Sequence, residues 1–519
     1  MALSPDNPVP RRPNVLFIIA DQHNAKCLGD AGHPDVKTPH LDRLAAEGVR
    51  FTNAITQNPI CTPSRVSFLS GQYCHNHGYY GLGGPYTRLP NVMGRFREAG
   101  YRTGAIGKIH CPRNWVEAVT DIFAEAYSSG QQRERDYHNY LARLGLLGDR
   151  DDETLPEWQP VGGGGQGLDA RQSRLPFEHC VEGWCAREAI EFIDGCAGQP
   201  FFLHLSLPRP HECYTPSEPF WAMYDEAEIA LPPNADYDMS LKPPHFRNAR
   251  RWQEQPGARL WLFEPKTYEA GRRRVLHGYL GCVSQVDAAV GEVLDHLRAR
   301  GLEQDTIVIY TSDHGDFAGE HGIIEKAPGI CADAITRIPS LWRWPGHFAA
   351  GFAAGAGHVC DQLVEAVDLA PTVLALAGLA AMETADGRDL RPLLTGGNDA
   401  IREVAVTENP WSKSVRTPRW RLVHYPPDLF PGQDVGELYD LETDPWEMHN
   451  LYADPEQRER VAELRARLLN WLITTTRPVT FHPPLEGGPE YDQHHLGGDG
   501  KALPTDIRAA AQKGRVNYL

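Results

Sequence analysis

Apolar and polar positions fall into two rhythms along this chain. Asn14 to Ala20 reads Asn-Val-Leu-Phe-Ile-Ile-Ala, an unbroken apolar run that ends in the polar pair Asp21-Gln22. A run without alternation predicts a parallel strand covered on both faces. Phe201 to Ser206 and Thr306 to Thr311 have the same character, and polar residues follow each. Between them lie amphipathic stretches, most clearly from Arg273 to Arg300. A helix is also expected from Thr38, with Thr38 as its cap, Pro39 in the first turn and Gly48 as the stop. A shorter helix, Thr62 to Ser70, opens behind Cys61, and Thr103 to Gly107 reads as a short strand punctuated by glycine. Strands alternating with helices predict an α/β fold: a large, mostly parallel sheet sandwiched by helices.

The rhythm changes near residues 390 to 400. Glu403 to Thr407, Arg419 to His424 and Glu437 to Leu441 read as short antiparallel strands, and a helix is expected from Pro455 to Leu472. The chain is therefore divided into a catalytic α/β domain, 1–398, and a smaller α+β domain with an antiparallel sheet, 399–519. The stretch His482 to Leu519 is polar and rich in Gly and Pro, with a short helical piece near Asp506 to Lys513. It is expected to wrap the body or a second copy in a homo-oligomer. Residues 127 to 175, which hold the run Gly162 to Gly165, read as an insertion or lid rather than a core element.

Charge narrows the partners. Lys plus Arg is 51 and Asp plus Glu is 68, a formal charge of −17 over 519 residues. That balance argues against nucleic acid or an anionic membrane, yet leaves room for a small anion at a local cluster of cations. No apolar segment of signal-peptide length precedes the first strand, and no run reaches membrane-spanning length, so a soluble, cytoplasmic protein is expected. The 11 cysteines form an odd set without paired Cys-x2-Cys spacings. They read as reduced, mostly small buried apolar residues, with no structural zinc.

In open parallel sheets, ligands bind beyond the carboxyl ends of the strands. Asp21 and Gln22 stand at one such end, Asp313 and His314 at another. Each is equally readable as a cap or loop residue, but together they form an oxygen-rich, one-nitrogen donor set. Such a set suits Ca²⁺, Mg²⁺ or Mn²⁺, and the histidine tilts it towards Mn²⁺ or another transition metal. Arg65, Lys108, His110, His211 and Lys326 lie in segments that are not obvious solvated helix faces. Singly they read as surface residues; converging on one sheet edge they would make a pocket for a tetrahedral anion. Cys61 starts a helix, where a negative charge is stabilised, so a thiolate nucleophile competes with a buried structural cysteine. Tyr79, Tyr80, Trp115 and Asn76-His77 are candidates for the substrate wall, with a structural turn as the other reading of Asn76-His77.

Six segments carry a resemblance. Cys61-Thr62-Pro63-Ser64-Arg65, continued by Ser70-Gly71-Gln72-Tyr73, resembles the Cys-x-Pro-Ser-Arg signature of the type I sulfatases. Gly100-Tyr101-Arg102-Thr103-Gly104-Ala105-Ile106-Gly107-Lys108-Ile109-His110 resembles a second motif of that family. Thr38-Pro39-His40-Leu41-Asp42, Ser312-Asp313-His314-Gly315 and Glu437 to Pro445 look like further family segments, and Pro13-Asn14-Val15 opens the first strand as in the family.

The resemblance implies an alkaline-phosphatase-like fold and hydrolysis of sulfate monoesters. It implies that a formylglycine-generating enzyme oxidises Cys61 to Cα-formylglycine, whose hydrate attacks sulfur and later expels sulfate. It assigns Asp21, Gln22, Cys61, Asp313 and His314 to one divalent cation, and Arg65 to the hydrated aldehyde. It assigns Lys108 and Lys326 to sulfate oxygens, His110 to the proton whose loss starts sulfate release, and His211 with Lys326 to the leaving oxygen. Many members carry two aspartates where this chain has Asp21-Gln22, and Asp-Asn where it has Asp313-His314. The Gln and His version resembles the phosphonate monoester hydrolase branch and some bacterial sulfatases. That leaves Ca²⁺ and Mn²⁺ both open, and keeps phosphonate monoester or phosphate diester hydrolysis as the alternative activity.

Overall fold

The apolar run that opens the chain is the central strand β1, Asn14–Asp21, and every one of its residues is buried. Its side chains alternate between two cores. Val15, Phe17 and Ile19 join one hydrophobic cluster with Val66, Phe68 and Leu69 of the Cys61–Ser70 helix and Leu369, Val373 and Leu374 of the Leu369–Leu376 helix. Leu16, Ile18 and Ala20 join another with Trp184 and Ala189 of the Val181–Gly195 helix and Val286, Val290 and Val293 of the Tyr268–Ala299 helix. Helices on both faces explain why the strand shows no polar alternation.

The computed structural model describes residues 12–84, 89–126, 136–149, 170–255, 266–327, 329–348 and 357–477. Eight further strands build the large sheet: β2 (Val49–Ile55), β3 (Arg102–Gly107), β4 (Ile122–Glu125), β5 (Phe201–Pro210), β6 (Thr306–Ser312), β7 (Arg337–Ile338), β8 (Ser340–Arg343) and β9 (His358–Glu365). Their order is β4-β3-β5-β1-β6-β8-β2-β7, with β9 paired to β2. β8 is antiparallel to β6 and β2, and β7 is antiparallel to β2; the remaining pairings are parallel. The carboxyl ends of β1, β2, β3, β5 and β6 therefore share one edge.

A second sheet holds β10 (Ala405–Glu408), β11 (Lys413–Arg416), β12 (Trp420–His424) and β13 (Gly436–Asp440), all antiparallel in chain order. Val461, Leu464, Leu468 and Trp471 of the Arg458–Thr475 helix cover it, against Val406, Val415, Leu422 and Leu438. β11 is absent from the sequence reading: Lys-Ser-Val-Arg offers one apolar residue, and pairing with β10 and β12 makes it a strand.

Other expectations are corrected by packing. Thr38 occupies the cap of the Pro39–Ala46 helix, but its hydroxyl bonds the Asp42 carboxylate at 2.9 Å and caps nothing. The Asp287 carboxylate, from the long helix, accepts from the His40 and Leu41 amides instead. Of the expected insertion or lid, residues 136–149 pack on the core. Asp136–Leu144 is a helix whose Tyr137 and Leu141 are buried, with Tyr137 against Trp184 at 5.6 Å. Residues 127–135 and 150–169, with the glycine run, and the proposed tail helix near Asp506 lie outside the described residues. All 11 cysteines are buried thiols outside any disulfide. Among the described residues, no helix is long and apolar enough to cross a membrane.

The small sheet is fastened beside the segment that leads into the Cys61–Ser70 helix. Thr407 Oγ1 donates to the Thr56 carbonyl at 2.7 Å, the Glu408 amide to Gln57 at 2.7 Å, and Asn58 Nδ2 to the Glu408 carbonyl at 2.6 Å. The buried Glu408 carboxylate takes His75 Nδ1 at 3.0 Å and Lys413 Nζ at 2.6 Å. Burial pushes this carboxyl up, but the hydrogen bond from His75 and the Lys413 charge outweigh it and hold its pKa at about 2. A carboxyl depressed on folding contributes stability above its unfolded pKa, near 4.3, and loses it as pH falls towards the folded value. Glu408→Gln is therefore expected to cost about 3 kcal/mol at pH 7, a gap that closes between about pH 4.5 and pH 2. Urea unfolding at stepped pH measures it; a gap independent of pH contradicts the assignment.

Candidate active site

Each strand of the shared edge delivers side chains to one place. β1 ends in Asp21, where the register with β5 shifts so that Asp21 pairs with Pro210. Gln22 follows with its backbone in the left-handed region, φ 70°. Its amide donates to Asp313 Oδ1 at 3.0 Å, and its carbonyl accepts from the Tyr279 hydroxyl at 2.9 Å. β6 ends in Ser312, which leads directly into Asp313 and His314. β3 ends in Gly107, φ 96°, where any Cβ would lie 1.8 Å from the Ser206 carbonyl oxygen. Only glycine fits there, and the close approach lets the Lys108 amide donate to that same carbonyl at 2.9 Å. His110 follows two residues on, also in the left-handed region, φ 46°. β5 leads into His211, whose amide donates to the Asp21 carbonyl at 3.1 Å.

Cys61 is the first residue of its helix, and all ten residues of that helix are buried. Its Sγ lies 3.2 Å from His314 Nε2 and 3.7 Å from Asp21 Oδ1. One donor atom each from Asp21, Cys61, Asp313 and His314 lies within 4.8 Å of the others, and all four residues are buried. His314 Nδ1 is 2.9 Å from the Gly315 carbonyl, which places its proton there and turns the Nε2 lone pair inward. Two buried carboxylates and an inward-facing imidazole nitrogen fit a divalent cation with a preference for oxygen.

Arg65 ties this set together. Its Nε donates to Asp313 Oδ2 at 2.8 Å and one terminal nitrogen reaches Asp21 Oδ2 at 3.3 Å; the other reaches the Lys108 carbonyl at 2.5 Å and Ser206 Oγ at 2.6 Å. Lys108 Nζ pairs with Asp21 Oδ2. Burial alone would raise the Asp21 carboxyl, but Lys108, His211, Arg65 and His314 hold it well below the usual range.

On the other side, Lys326 Nζ donates to Gln22 Oε1 at 2.7 Å and stands 3.0 Å from His211 Nε2. His211 Nδ1 faces the Glu212 carboxylate at 2.9 Å. Burial lowers the pKa of His211, and the Glu212 charge beside it reverses the sign, leaving it above the ordinary value. The Lys326 contact nevertheless asks Nε2 to accept. The arrangement therefore reads as a proton on Nδ1, towards Glu212, and a lone pair on Nε2, towards the ammonium.

The structure thus brings Asp21, Gln22, Cys61, Arg65, Lys108, His211, Asp313, His314 and Lys326 into one connected set, with His110 on the same strand exit as Lys108. Other expectations go elsewhere. Tyr79 is buried in the main core, and Trp115 packs on it and donates to the Leu89 carbonyl. Tyr80 bonds Glu408, Asn76 donates to Asp386 and the Thr475 carbonyl, and His77 is 2.9 Å from Ser67 Oγ. These contacts give each of them a partner within the fold, away from the connected set. Glu212, Ser206 and Asp316 escaped the sequence reading. Asp316 sits in the same run as Asp313, yet the partner that reveals it, Gln22, is 294 residues away.

Comparison with known proteins agrees with this geometry. The family model described as Sulfatase matches residues 13–379, and that of the N-sulphoglucosamine sulphohydrolase C-terminal region matches 319–473. The multifunctional alkaline phosphatase superfamily protein PehA of Trinickia caryophylli is 28% identical, over 91% of this chain and 97% of its own length. An arylsulfatase of Clostridium perfringens is 27% identical, over 89% and 94%. The solved phosphonate monoester hydrolase of Silicibacter pomeroyi superposes with a TM-score of 0.74 at 26% identity, covering 89% of this chain and 96% of that one. The family match across most of the chain, with this connected set of carboxylates, cations and Cys61 at one sheet edge, means that the protein belongs to the sulfatase family of sulfuric ester hydrolases, within the alkaline phosphatase superfamily.

Proposed function

We propose that this protein hydrolyses sulfate monoesters to an alcohol and inorganic sulfate, with residue 61 as nucleophile after its conversion from cysteine to formylglycine. The observation that carries the reading is the place of Cys61 Sγ, buried among Asp21, Asp313 and His314 at the foot of a cationic wall. When present, the formylglycine hydrate supplies a hydroxyl nucleophile and a divalent cation, Ca²⁺ or Mn²⁺, supplies Lewis acidity; Asp21, Gln22, Asp313 and His314 would hold the cation. Lys108 and Lys326 bind the non-bridging oxygens of the ester and offset charge as it develops there. Arg65 fixes the orientation of residue 61 and both carboxylates. The pair formed by His211 Nε2 and the Lys326 ammonium, which holds the proton between them, delivers that proton to the departing oxygen, and His110 takes the proton whose loss starts sulfate release.

Gln22 and His314, with the likeness to a phosphonate monoester hydrolase, favour a second reading: hydrolysis of phosphonate monoesters or phosphate diesters at the same site. We further place residues 1–398 as the catalytic unit and 399–519 as its C-terminal subdomain. A formylglycine-generating enzyme is the maturation partner, with no nucleic acid or membrane partner, and a second copy of the chain is the candidate partner of the tail. Eleven buried thiols outside any disulfide support a reducing, cytoplasmic setting.

A panel of sulfate monoesters, phosphonate monoesters and phosphate diesters, assayed with Mn²⁺ and with Ca²⁺, tests the ranking. Sulfate monoesters are expected to give the highest kcat/KM. Phosphate diesters ahead by orders of magnitude would replace the first reading with the second. Mass spectrometry of the peptide around residue 61 tests the nucleophile: an unmodified thiol in fully active protein would overturn it.

A further inference from the structure

Gln22 carries an amide in a donor set that also holds two carboxylates, a cysteine and an imidazole, and its surroundings explain why. Its Nε2 donates to Asp316 Oδ2 at 2.7 Å, and the Tyr214 hydroxyl donates to the same oxygen at 3.1 Å. Asp316 Oδ1 accepts from the Ala318 amide at 2.7 Å and the Glu325 amide at 2.9 Å. Every contact of the Asp316 carboxylate is with a donor, and the residue is fully buried. The two ends of a carboxamide are alike in shape, so its neighbours alone decide which end faces where. Asp316 accepts only; it therefore holds the amide nitrogen on its own side and leaves Oε1 on the side of Lys326, which donates to it at 2.7 Å. Backbone contacts to Asp313 and Tyr279 pin the residue at both of its peptide groups, so the side chain has little other freedom.

We propose that Asp316 is a positioning residue that sets the carboxamide of Gln22 oxygen-inward, and that its presence is why position 22 holds an amide and not a carboxylate. The proposal rests on the reading of Gln22 as a ligand of the cation. A carboxylate at position 22 would set two anionic oxygens at the contact now made by Nε2 and Oδ2, with no proton donor between them. Positions 22 and 316 therefore form a pair in which one member donates and the other accepts. Exchanging the roles, by Gln22→Glu together with Asp316→Asn, restores the hydrogen bond and still presents an oxygen inward.

The test is Mn²⁺ affinity of the full chain, stripped of metal and matched for the modification state of residue 61, read from free Mn²⁺ by electron paramagnetic resonance. Asp316→Asn keeps Oδ1 for the Ala318 and Glu325 amides and reverses only the face turned to Gln22. It is expected to weaken Mn²⁺ binding by about 10- to 100-fold, the usual consequence of losing the partner that orients a ligand. Adding Gln22→Glu to that variant is expected to recover most of the loss. Wild-type affinity in D316N, or no recovery in Q22E/D316N, overturns the proposal. If D316N does not fold, the double variant decides alone: soluble protein that binds Mn²⁺ supports the pairing, and failure to recover either property overturns it. Gln22→Met tests the underlying reading separately. Unchanged Mn²⁺ affinity in Q22M removes Gln22 from the cation site, and the proposal with it. Weakened binding in Q22M alongside wild-type binding in D316N removes only the role of Asp316.

Discussion

Replacing Cys61 with alanine is expected to lower kcat/KM for the preferred ester by at least about 10³-fold, because the groups left behind bind the ester but cannot attack it. Arg65, Lys108, His211 and Lys326 do not depend on the Cys61 side chain for their contacts with Asp21, Asp313, Gln22 and one another. Substrate binding should therefore persist while turnover is lost. Cys61→Ser separates the roles further. A serine hydroxyl at this position can attack, but the sulfate ester it forms has no second hydroxyl on the same carbon to expel the group. One equivalent of alcohol per enzyme should be released, and intact-mass measurement should find a stable sulfated protein. Repeated turnover by either variant at the wild-type rate would remove residue 61 from the chemistry.

Arg65 carries the second large effect, on stability. The side chain is about 1% exposed and neutralises two fully buried carboxylates, Asp21 and Asp313. Removing one partner of a buried ion pair costs about 3–5 kcal/mol, because the remaining charge is left uncompensated. Arg65→Met fills the space of the aliphatic stem but supplies no cation. In metal-free protein it is expected to cost about that much in urea unfolding. Lys108 also pairs with Asp21, so the deficit should fall mainly on Asp313. Saturating Mn²⁺ should narrow the gap between variant and wild type, since a bound cation supplies the missing countercharge and adds binding energy to the folded state. A loss under about 1 kcal/mol without metal would mean that the two carboxylates do not depend on Arg65.

How much of this was legible before the fold was known differs by residue. Cys61, Arg65, Lys108 and His110 stand in short contiguous motifs whose spacing is set by a helix start and a strand exit, so local sequence carries them. Asp21 and Asp313 were legible as strand ends because an apolar run must stop where the sheet stops. The strands β1, β5 and β6 begin where the apolar runs begin, at Asn14, Phe201 and Thr306, since burial on both faces leaves no polar alternation. What failed were assignments whose partners are distant in the chain. Thr38 looks like a helix cap, but the amides it would cap are taken by Asp287. Tyr79 and Trp115 look like a substrate wall, but an aromatic ring carries the same signal whether it lines a pocket or fills a core. Residues 136–149 look like a lid because the polar run around them hides Tyr137 and Leu141.

The chain by itself therefore determined the class of fold and the edge of the sheet at which its candidate site residues gather, because those follow from burial periodicity and from motifs a few residues long. Tertiary structure alone decided how these side chains are held. Arg65 spans Asp21 and Asp313, Lys326 stands between Gln22 and His211, Glu212 faces His211, and Asp316 orients Gln22. Each of these is a contact of about 2.7 to 3.3 Å, and most join residues more than a hundred positions apart. Hydrogen-bond directions between such residues are set by which strands become neighbours in the sheet, and no local spacing encodes that.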